Sequence, residues 1–168
     1  MKKILTILIL LGAGQCINAQ KFAYVDSKYI LNKIPEFKQA QEKIDALSID
    51  WQKEIEEKYD DLKLIKEKYE QDKFLLTESM QQKREDAIEK KENKIIELQN
   101  KYFGPQGELY IKKQELIKPI QDKIYDAIQK LASDNKYSIV FDSSSDLIML
   151  YKSNKLDKSD KILDLMGY

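Results

Sequence analysis

The chain has 168 residues, of which 29 are basic and 29 are acidic, and it contains no histidine and one cysteine. The balanced charge argues against a nucleic-acid-binding surface, because such surfaces carry an excess of lysine and arginine. The missing histidine excludes Ser-His triads and imidazole metal sites, and no glycine-rich phosphate-binding motif occurs. We therefore expect no enzyme, no cofactor and no metal.

The N-terminus has the pattern of a secretory signal peptide. Two lysines follow the initiator methionine, an apolar run extends from Ile4 to Leu11, and the small residue Ala19 ends the segment. The run is shorter than the about 20 residues of a membrane-spanning helix. Lipidation of Cys16 is the alternative, but Gln15 precedes it where a lipobox has Gly, Ala or Ser. We expect cleavage after Ala19 and export to the periplasm, with no integral membrane segment in the mature chain.

Residues 20–35 are predicted to form the first part of a small β-containing body. The segment Phe22–Asp26 mixes aromatic and β-branched residues, as strands do. Asp26 or Ser27 can cap a short helix that ends at Lys33, just before Pro35.

Residues 36–131 are predicted to form a long helical hairpin. From Glu36 to Phe103 the chain has 68 residues without glycine or proline, and 32 of them are charged. Such a segment is typical of solvated helix, and its apolar residues recur at three- and four-residue spacing. The apolar cluster at 74–80, with Thr77 and Ser79 as possible caps, marks the tip. The first helix, with 41 residues from Glu36 to Leu76, would extend about 60 Å, so we expect a protruding arm.

A tip near Glu78 pairs residues whose numbers sum to about 156. This register places Tyr69 opposite Ile88 and Trp51 opposite the Gly104–Gly107 segment. We expect these glycines to make room for the indole. The segment should also break the return helix, and Pro119 should bend it again.

Residues 132–168 are predicted to complete the body. A strand at Tyr137–Phe141 should pair in a hairpin with Leu147–Tyr151, across the serine-rich segment Asp142–Asp146. That segment lacks the ligand spacing of a calcium loop, and Asp and Ser are favoured in tight turns, so we interpret it as a turn. A last helix is expected at Lys158–Met166.

Three short strands and a two-helix arm cannot bury their own edges and apolar faces. We therefore expect self-association through the body, with several arms around a water-filled space. Along the arm, Tyr59, Tyr69 and Phe74 should be partly exposed, which makes them candidates for binding unfolded apolar segments. The alternative, that they only hold the two arm helices together, stays open.

The order of these elements resembles the Skp/OmpH family of periplasmic chaperones. The resemblance runs from Phe22–Asp26 through the charged hairpin to Ile139–Asp142, and residues 102–110 and 119–124 resemble the form common in Bacteroidetes members. It implies an α+β, mostly α fold, in which a long antiparallel helical hairpin stands on a small β body completed by trimerisation. It also implies an ATP-independent holdase that binds unfolded outer-membrane proteins in a cavity between the arms and prevents their aggregation.

By this resemblance the chain has two sets of candidate residues. The client-binding candidates are Trp51, Tyr59, Tyr69, Phe74, Leu75 and Met80. The oligomer-body candidates are Phe22, Tyr24, Ile139, Phe141 and Ile148. The best-known members are strongly basic, whereas this chain is near neutral, so client binding should weaken little with salt. The alternative function is a structural periplasmic coiled-coil adaptor or spacer that binds a folded partner, whose apolar stripe should be fully buried.

Overall fold

The structure, a computed structural model, describes residues 20–145 and 149–168. The expected signal peptide therefore lies outside the described residues. The chain divides into two compact units. The hairpin unit is Ile34–Lys123, and the body unit joins the described part of Met1–Lys33 to Ile124–Tyr168. In chain order the elements are β1 (Lys21–Val25), α1 (Ser27–Lys33), α2 (Pro35–Asp72), α3 (Glu78–Phe103), α4 (Glu108–Asn135), β2 (Tyr137–Asp142) and α5 (Ser159–Met166), with 3₁₀ turns at Lys73–Leu75 and Asn154–Leu156.

The body unit contains a two-stranded parallel sheet. In its register Phe22 lies opposite Ile139 and Tyr24 lies opposite Phe141. Because alternate residues of a strand face opposite sides, these four residues share one face of the sheet, and the other face includes buried Ala23 and Val25. The two strands confirm the predictions at both places. They pair in parallel because the intervening chain returns to the same end of the sheet.

The prediction of a third strand at Leu147–Tyr151 was wrong for the residues that the structure describes. Its first two residues lie outside the described chain, and its last three are not in a strand. Asp142 instead accepts hydrogen bonds from the backbone N–H and hydroxyl of Ser27 and from Ser144. The described part of the serine-rich segment thus forms a turn at Ser143 and Ser144, as expected, and ties the end of β2 to the start of α1. Asp146 lies outside the described residues.

Capping side chains define the ends of the short helices. The backbone N–H of Tyr29 donates to the Asp26 carboxylate at the start of α1, as expected from the sequence. At α5, the backbone N–H and hydroxyl of Ser159 donate to Asp157. Gly167 follows α5 with a φ of 88°, a left-handed conformation that glycine adopts without the clash of a Cβ atom.

The hairpin unit has a narrow apolar core between α2 and α3. Its buried residues on α2 include Ile55, Leu62 and Tyr69, which are spaced by seven. Heptad spacing turns one narrow stripe of a helix towards its partner and leaves the flanks in water. The core cluster consists of Ile55, Leu62, Ile95 and Tyr102, with Trp51, Ile88 and Leu98 packed against it.

The pairing of α2 with α3 confirms the register expected from the sequence. The Tyr59 hydroxyl donates to Gln99, and the Tyr102 hydroxyl donates to Glu54. The residue numbers of these two pairs sum to 158 and 156, and the expected sum is about 156. The tip also lies where it was predicted, because α2 ends before a 3₁₀ turn and Thr77 is the N-cap residue of α3.

The glycines between α3 and α4 allow a close approach of the backbone to itself. A Cβ atom at Gly104 would lie 2.3 Å from the backbone oxygen of Asn100. At Gly107 it would lie 2.8 Å from the backbone oxygens of Lys101 and Tyr102. The backbone of the turn therefore requires the missing side chains, and a role of the glycines in making room for the indole of Trp51 stays a prediction. The break between α3 and α4 was predicted, and α4 continues through Pro119.

Candidate functional site

The tip of the hairpin exposes large apolar side chains. Phe74 is 80% exposed and Leu75 is 74% exposed, and Met80 in the first turn of α3 is also exposed. The side-chain amide of Gln81 donates to the carbonyls of Lys73 and Leu76, which closes the 3₁₀ turn. Phe74 and Leu75 therefore belong to a turn held by its own hydrogen bonds, while their side chains remain in water.

Tyr69 is buried, so the expectation that it is exposed was wrong. It is 4% exposed because the heptad spacing from Ile55 and Leu62 places it in the narrow apolar core between α2 and α3, which we call the seam. Its hydroxyl donates to Glu85, and the ammonium of Lys73 lies 5.3 Å from its ring centroid. The hydrogen bond to the Glu85 carboxylate raises the pKa of Tyr69 to about 12. Tyr69 therefore holds the two arm helices together, which is the alternative role given for it in the sequence analysis.

Trp51 belongs to an aromatic cluster at the other end of the α2–α3 pair. Its ring stacks on Tyr102 with a centroid distance of 4.8 Å and meets Phe103 edge-on at 6.3 Å. The hydrogen bond from Tyr102 to Glu54 raises the pKa of this tyrosine above its ordinary value. Trp51 is half-buried and also packs against the core cluster of the hairpin unit.

Tyr59 lies on a solvent-facing flank of the hairpin. It lines two adjoining recesses of about 500 and 340 Å³, which together we call the Tyr59 groove. Ile96 and Phe103 of α3 are exposed in the same groove. Sequence reasoning missed Ile96, although one signal was available. Ile95 and Ile96 are adjacent on a helix, so only one of them can face the seam.

The opposite flank of the hairpin has a different composition. Its recess, of about 330 Å³, is lined by Ile95 and Leu98 and by five charged residues. We call it the lysine recess, and its charged residues are Glu54, Lys58, Asp61, Lys91 and Lys94. Both flanks are thus lined by five charged residues, and they differ in that Tyr59, Ile96 and Phe103 are exposed in the Tyr59 groove whereas Ile95 is buried beneath the lysine recess.

The oligomer-body candidates divide between an exposed patch and the interior of the body unit. Phe22, Ile139 and Phe141 are exposed, and the rings of Phe22 and Phe141 lie 6.5 Å apart. Tyr24 is buried within the chain, and the ammonium of Lys152 lies 4.9 Å from its ring centroid. Ile148 lies outside the described residues. Within one chain the shared face thus presents three apolar side chains to solvent.

The polar clusters of the body unit serve structure. Burial by itself would raise the pKa of Asp142, but hydrogen bonds from Ser27 and Ser144 outweigh burial and lower this pKa. Ser27 and Ser144 are also hydrogen-bonded to each other, so neither hydroxyl is poised as a nucleophile. Within residues 20–145 and 149–168, no group of acidic side chains is arranged to hold a metal ion. In the same ranges no helix has the length and hydropathy to cross a bilayer.

Comparison with known proteins gives three findings. Residues 21–166 match the family model described as outer membrane protein (OmpH-like). An uncharacterized protein of Aquifex aeolicus (strain VF5) is 30% identical over 163 residues, which cover 97% of this chain and 94% of the relative. A crystal structure from Caulobacter crescentus CB15, provisionally named as an OmpH-like outer membrane chaperone, aligns with a TM-score of 0.65 at 13% identity. The alignment covers 86% of this chain and 82% of the other, and it shows a shared, mostly helical α+β fold.

Proposed function

Since this chain belongs to the OmpH-like family, a family of periplasmic chaperones, we propose that it is an ATP-independent holdase. In this proposal it binds unfolded outer-membrane proteins in the periplasm and prevents their aggregation. It works as a homotrimer whose helical arms enclose the client. Neither nucleotide nor nucleic acid takes part.

The observation that carries the proposal is a set of exposed apolar side chains on a highly charged helical hairpin. Tyr59, Phe74, Leu75 and Met80 are all exposed. A spacer that bound one folded partner would bury its apolar stripe between its helices, whereas these side chains face water. Many weak apolar contacts hold a disordered client without selecting one conformation of it, and the client leaves when a membrane buries its surface better.

The trimer is supported by the body unit. Its sheet has two short strands, and such a sheet is marginal alone and has edges that seek partners. Phe22, Ile139 and Phe141 offer an apolar patch on one face of that sheet. A native mass measurement should give three copies, and Ile139→Lys should shift the mass towards one copy. A wild-type protein that stays monomeric at working concentration would contradict this part.

The holdase activity is tested by diluting an unfolded β-barrel protein from denaturant and recording light scattering. We expect wild type to suppress aggregation at equimolar trimer, and Phe74→Ser with Leu75→Ser to need several times more protein. The matched control is Ile49→Ser with Leu64→Ser, because it also removes two exposed apolar side chains from the hairpin unit. Failure of wild type to suppress aggregation would favour the spacer.

Localisation is proposed from the N-terminal sequence. A positively charged start, an apolar run and small Ala19 match the export pattern. Mass spectrometry of the protein recovered from a periplasmic extract should give a chain that begins at Gln20. A chain that retains Cys16 with an attached lipid would instead support a membrane anchor.

A further inference from the structure

The hairpin tip carries an exposed, oxidisable sulfur. The chain has four methionines, and Met1 lies in the expected signal peptide. Met80 is 50% exposed, whereas Met149 and Met166 are partly buried. Oxidation of a thioether requires contact between the oxidant and the sulfur, so the rate of oxidation follows exposure. Met80 should therefore react first among the methionines that the structure describes.

Met80 also lies at a position of α3 where a hydrogen-bond acceptor would find a partner. Thr77 is the N-cap residue of α3, and within the described residues its side chain makes no capping hydrogen bond. The backbone N–H of Met80 donates to the Thr77 carbonyl at 2.9 Å, so the backbones of the two residues are in contact across the first turn. In a capping box, Glu or Gln at this third position accepts a hydrogen bond from the backbone N–H of the N-cap residue. A thioether sulfur is only a weak acceptor, so unmodified methionine is poorly suited to this role.

Oxidation gives Met80 a strong acceptor. Hydrogen peroxide transfers one oxygen atom to the sulfur: its O–O bond breaks, an S–O bond forms, and its second oxygen leaves as water. The sulfur is oxidised by two electrons, and the peroxide is reduced by two. The new oxygen is bonded to the atom that follows Cγ, as the carboxamide oxygen of glutamine is. Methionine sulfoxide therefore reaches as far as glutamine does in a capping box.

The same reaction changes the surface of the tip and leaves its backbone in place. Phe74, Leu75 and Met80 are exposed there. A sulfoxide is polar, so oxidation removes one of these apolar groups. Gln81 closes the adjoining 3₁₀ turn through its own hydrogen bonds to two backbone carbonyls, which do not involve the Met80 side chain. The turn should therefore persist when Met80 is oxidised.

We infer that Met80 is a site of reversible oxidation by hydrogen peroxide, and that its sulfoxide completes the capping box of α3 with Thr77 while it reduces the apolar surface of the tip. Reduction by a methionine sulfoxide reductase restores the thioether. In that step two thiols are oxidised to one disulfide, and the sulfoxide oxygen leaves as water. The oxidation site and the cap are independent of the proposed holdase function, and only their effect on client binding rests on it.

The first test measures which sulfur reacts. The purified protein is treated with hydrogen peroxide, and peptide mass spectrometry follows the sulfoxide at each methionine over time. We expect Met80 to be oxidised several times faster than Met149 and Met166, and treatment with the two epimer-specific reductases to restore its mass. Oxidation of Met149 or Met166 at the same rate as Met80, or faster, would overturn the site. A sulfoxide that the reductases leave in place would overturn reversibility.

The second test measures the cap by hydrogen exchange at the backbone amide of Thr77, followed by NMR. Oxidised wild type and unoxidised Met80→Gln should both exchange this amide about fivefold more slowly than unoxidised wild type, which is the effect of one net hydrogen bond. Met80→Leu is the control, because it has no acceptor and forms no sulfoxide, so peroxide should leave its exchange unchanged. Unchanged exchange in oxidised wild type would overturn the cap, whether or not Met80→Gln slows it. Circular dichroism confirms that both variants remain helical.

The third test measures the effect on client binding in the light-scattering assay. Oxidised wild type should need several times more protein than unoxidised wild type for the same suppression of aggregation, and Met80→Leu should not respond to peroxide. Met166→Leu is the matched control, because it keeps Met80 and should respond as wild type does. Suppression that peroxide does not change would overturn the effect on client binding and leave the holdase intact. No suppression by unoxidised wild type would refute the holdase, and the first two tests would still decide the oxidation site and the cap.

Discussion

Ile95 and Ile96 are adjacent on α3, yet they should make very different contributions to stability. Ile95 is 4% exposed in the core cluster, whereas Ile96 is 50% exposed in the Tyr59 groove. Replacement by alanine removes three carbons from either side chain. At about 0.8 kcal/mol per buried carbon, the loss is about 2.4 kcal/mol for Ile95→Ala and about half of that for Ile96→Ala.

Two further effects change these values only slightly. Alanine has a better helix propensity than isoleucine by a few tenths of a kcal/mol, but this gain is the same at both positions. Removal of a buried side chain usually leaves a cavity that adds to the cost. Ile95 borders the lysine recess, which is open to solvent, so water can enter the vacated space. We therefore expect Ile95→Ala near the low end of the usual range of about 2–5 kcal/mol.

The assay is urea unfolding, followed by tryptophan fluorescence and by far-UV circular dichroism. Trp51 is the single tryptophan of the chain and packs against the core cluster that contains Ile95. Both variants and wild type are compared at one protein concentration, because association adds to apparent stability. A free energy of unfolding lowered equally by the two substitutions would refute the assignment of Ile95 to the seam and of Ile96 to the flank.

Four further predictions follow from single contacts. Gly104→Ala should lower the free energy of unfolding by about 1–3 kcal/mol, because its Cβ would overlap the carbonyl oxygen of Asn100 in the folded chain. Thermal or urea unfolding of the single variant and wild type measures this difference. The pKa of Tyr69 is raised from 10.0 to about 12, so stability present below pH 10 should fall as the pH approaches 12, and Tyr69→Phe should flatten that loss by removing the hydroxyl bonded to Glu85. The pKa of Asp142 is lowered from 3.8, so its contribution is present at neutral pH and lost on acidification through that range, and Asp142→Asn should flatten the acid limb of a stability curve. Client affinity should change little as the Debye length shortens from about 30 Å to about 8 Å, and a collapse of affinity over that range of salt would contradict capture by apolar contact.

Local signals in the sequence account for most of the correct predictions of fold. The hairpin follows from a long charged stretch without glycine or proline, and its tip follows from the apolar cluster around Thr77. The start of α1 follows from Asp26, whose carboxylate accepts a hydrogen bond from the backbone of Tyr29, and the end of α5 follows from Gly167, whose backbone is left-handed. Each of these features depends on neighbours in sequence, so one chain is enough to read it.

The failures depend on contacts between distant residues. The serine-rich segment after β2 has the composition of a hairpin turn, but Asp142 bonds to Ser27, which lies 115 residues away in sequence. Alternation and turn composition cannot reveal that partner. The burial of Tyr69 is a failure of another kind, because the heptad spacing from Leu62 to Tyr69 is a local signal that predicts burial, and Tyr59 lies outside that spacing.

The separation of seam from flank has a consequence for a protein that must remain folded while it binds unfolded chains. Stability of the hairpin comes from positions such as Leu62 and Ile95, which contact the partner helix and not solvent. The proposed client contacts come from Tyr59, Phe74 and Leu75, which are exposed and add little to the apolar core of the chain. Because the two sets of side chains hardly overlap, client affinity and hairpin stability should respond to different substitutions. A narrow seam therefore leaves the hairpin free to carry exposed apolar side chains without depending on them for its own fold.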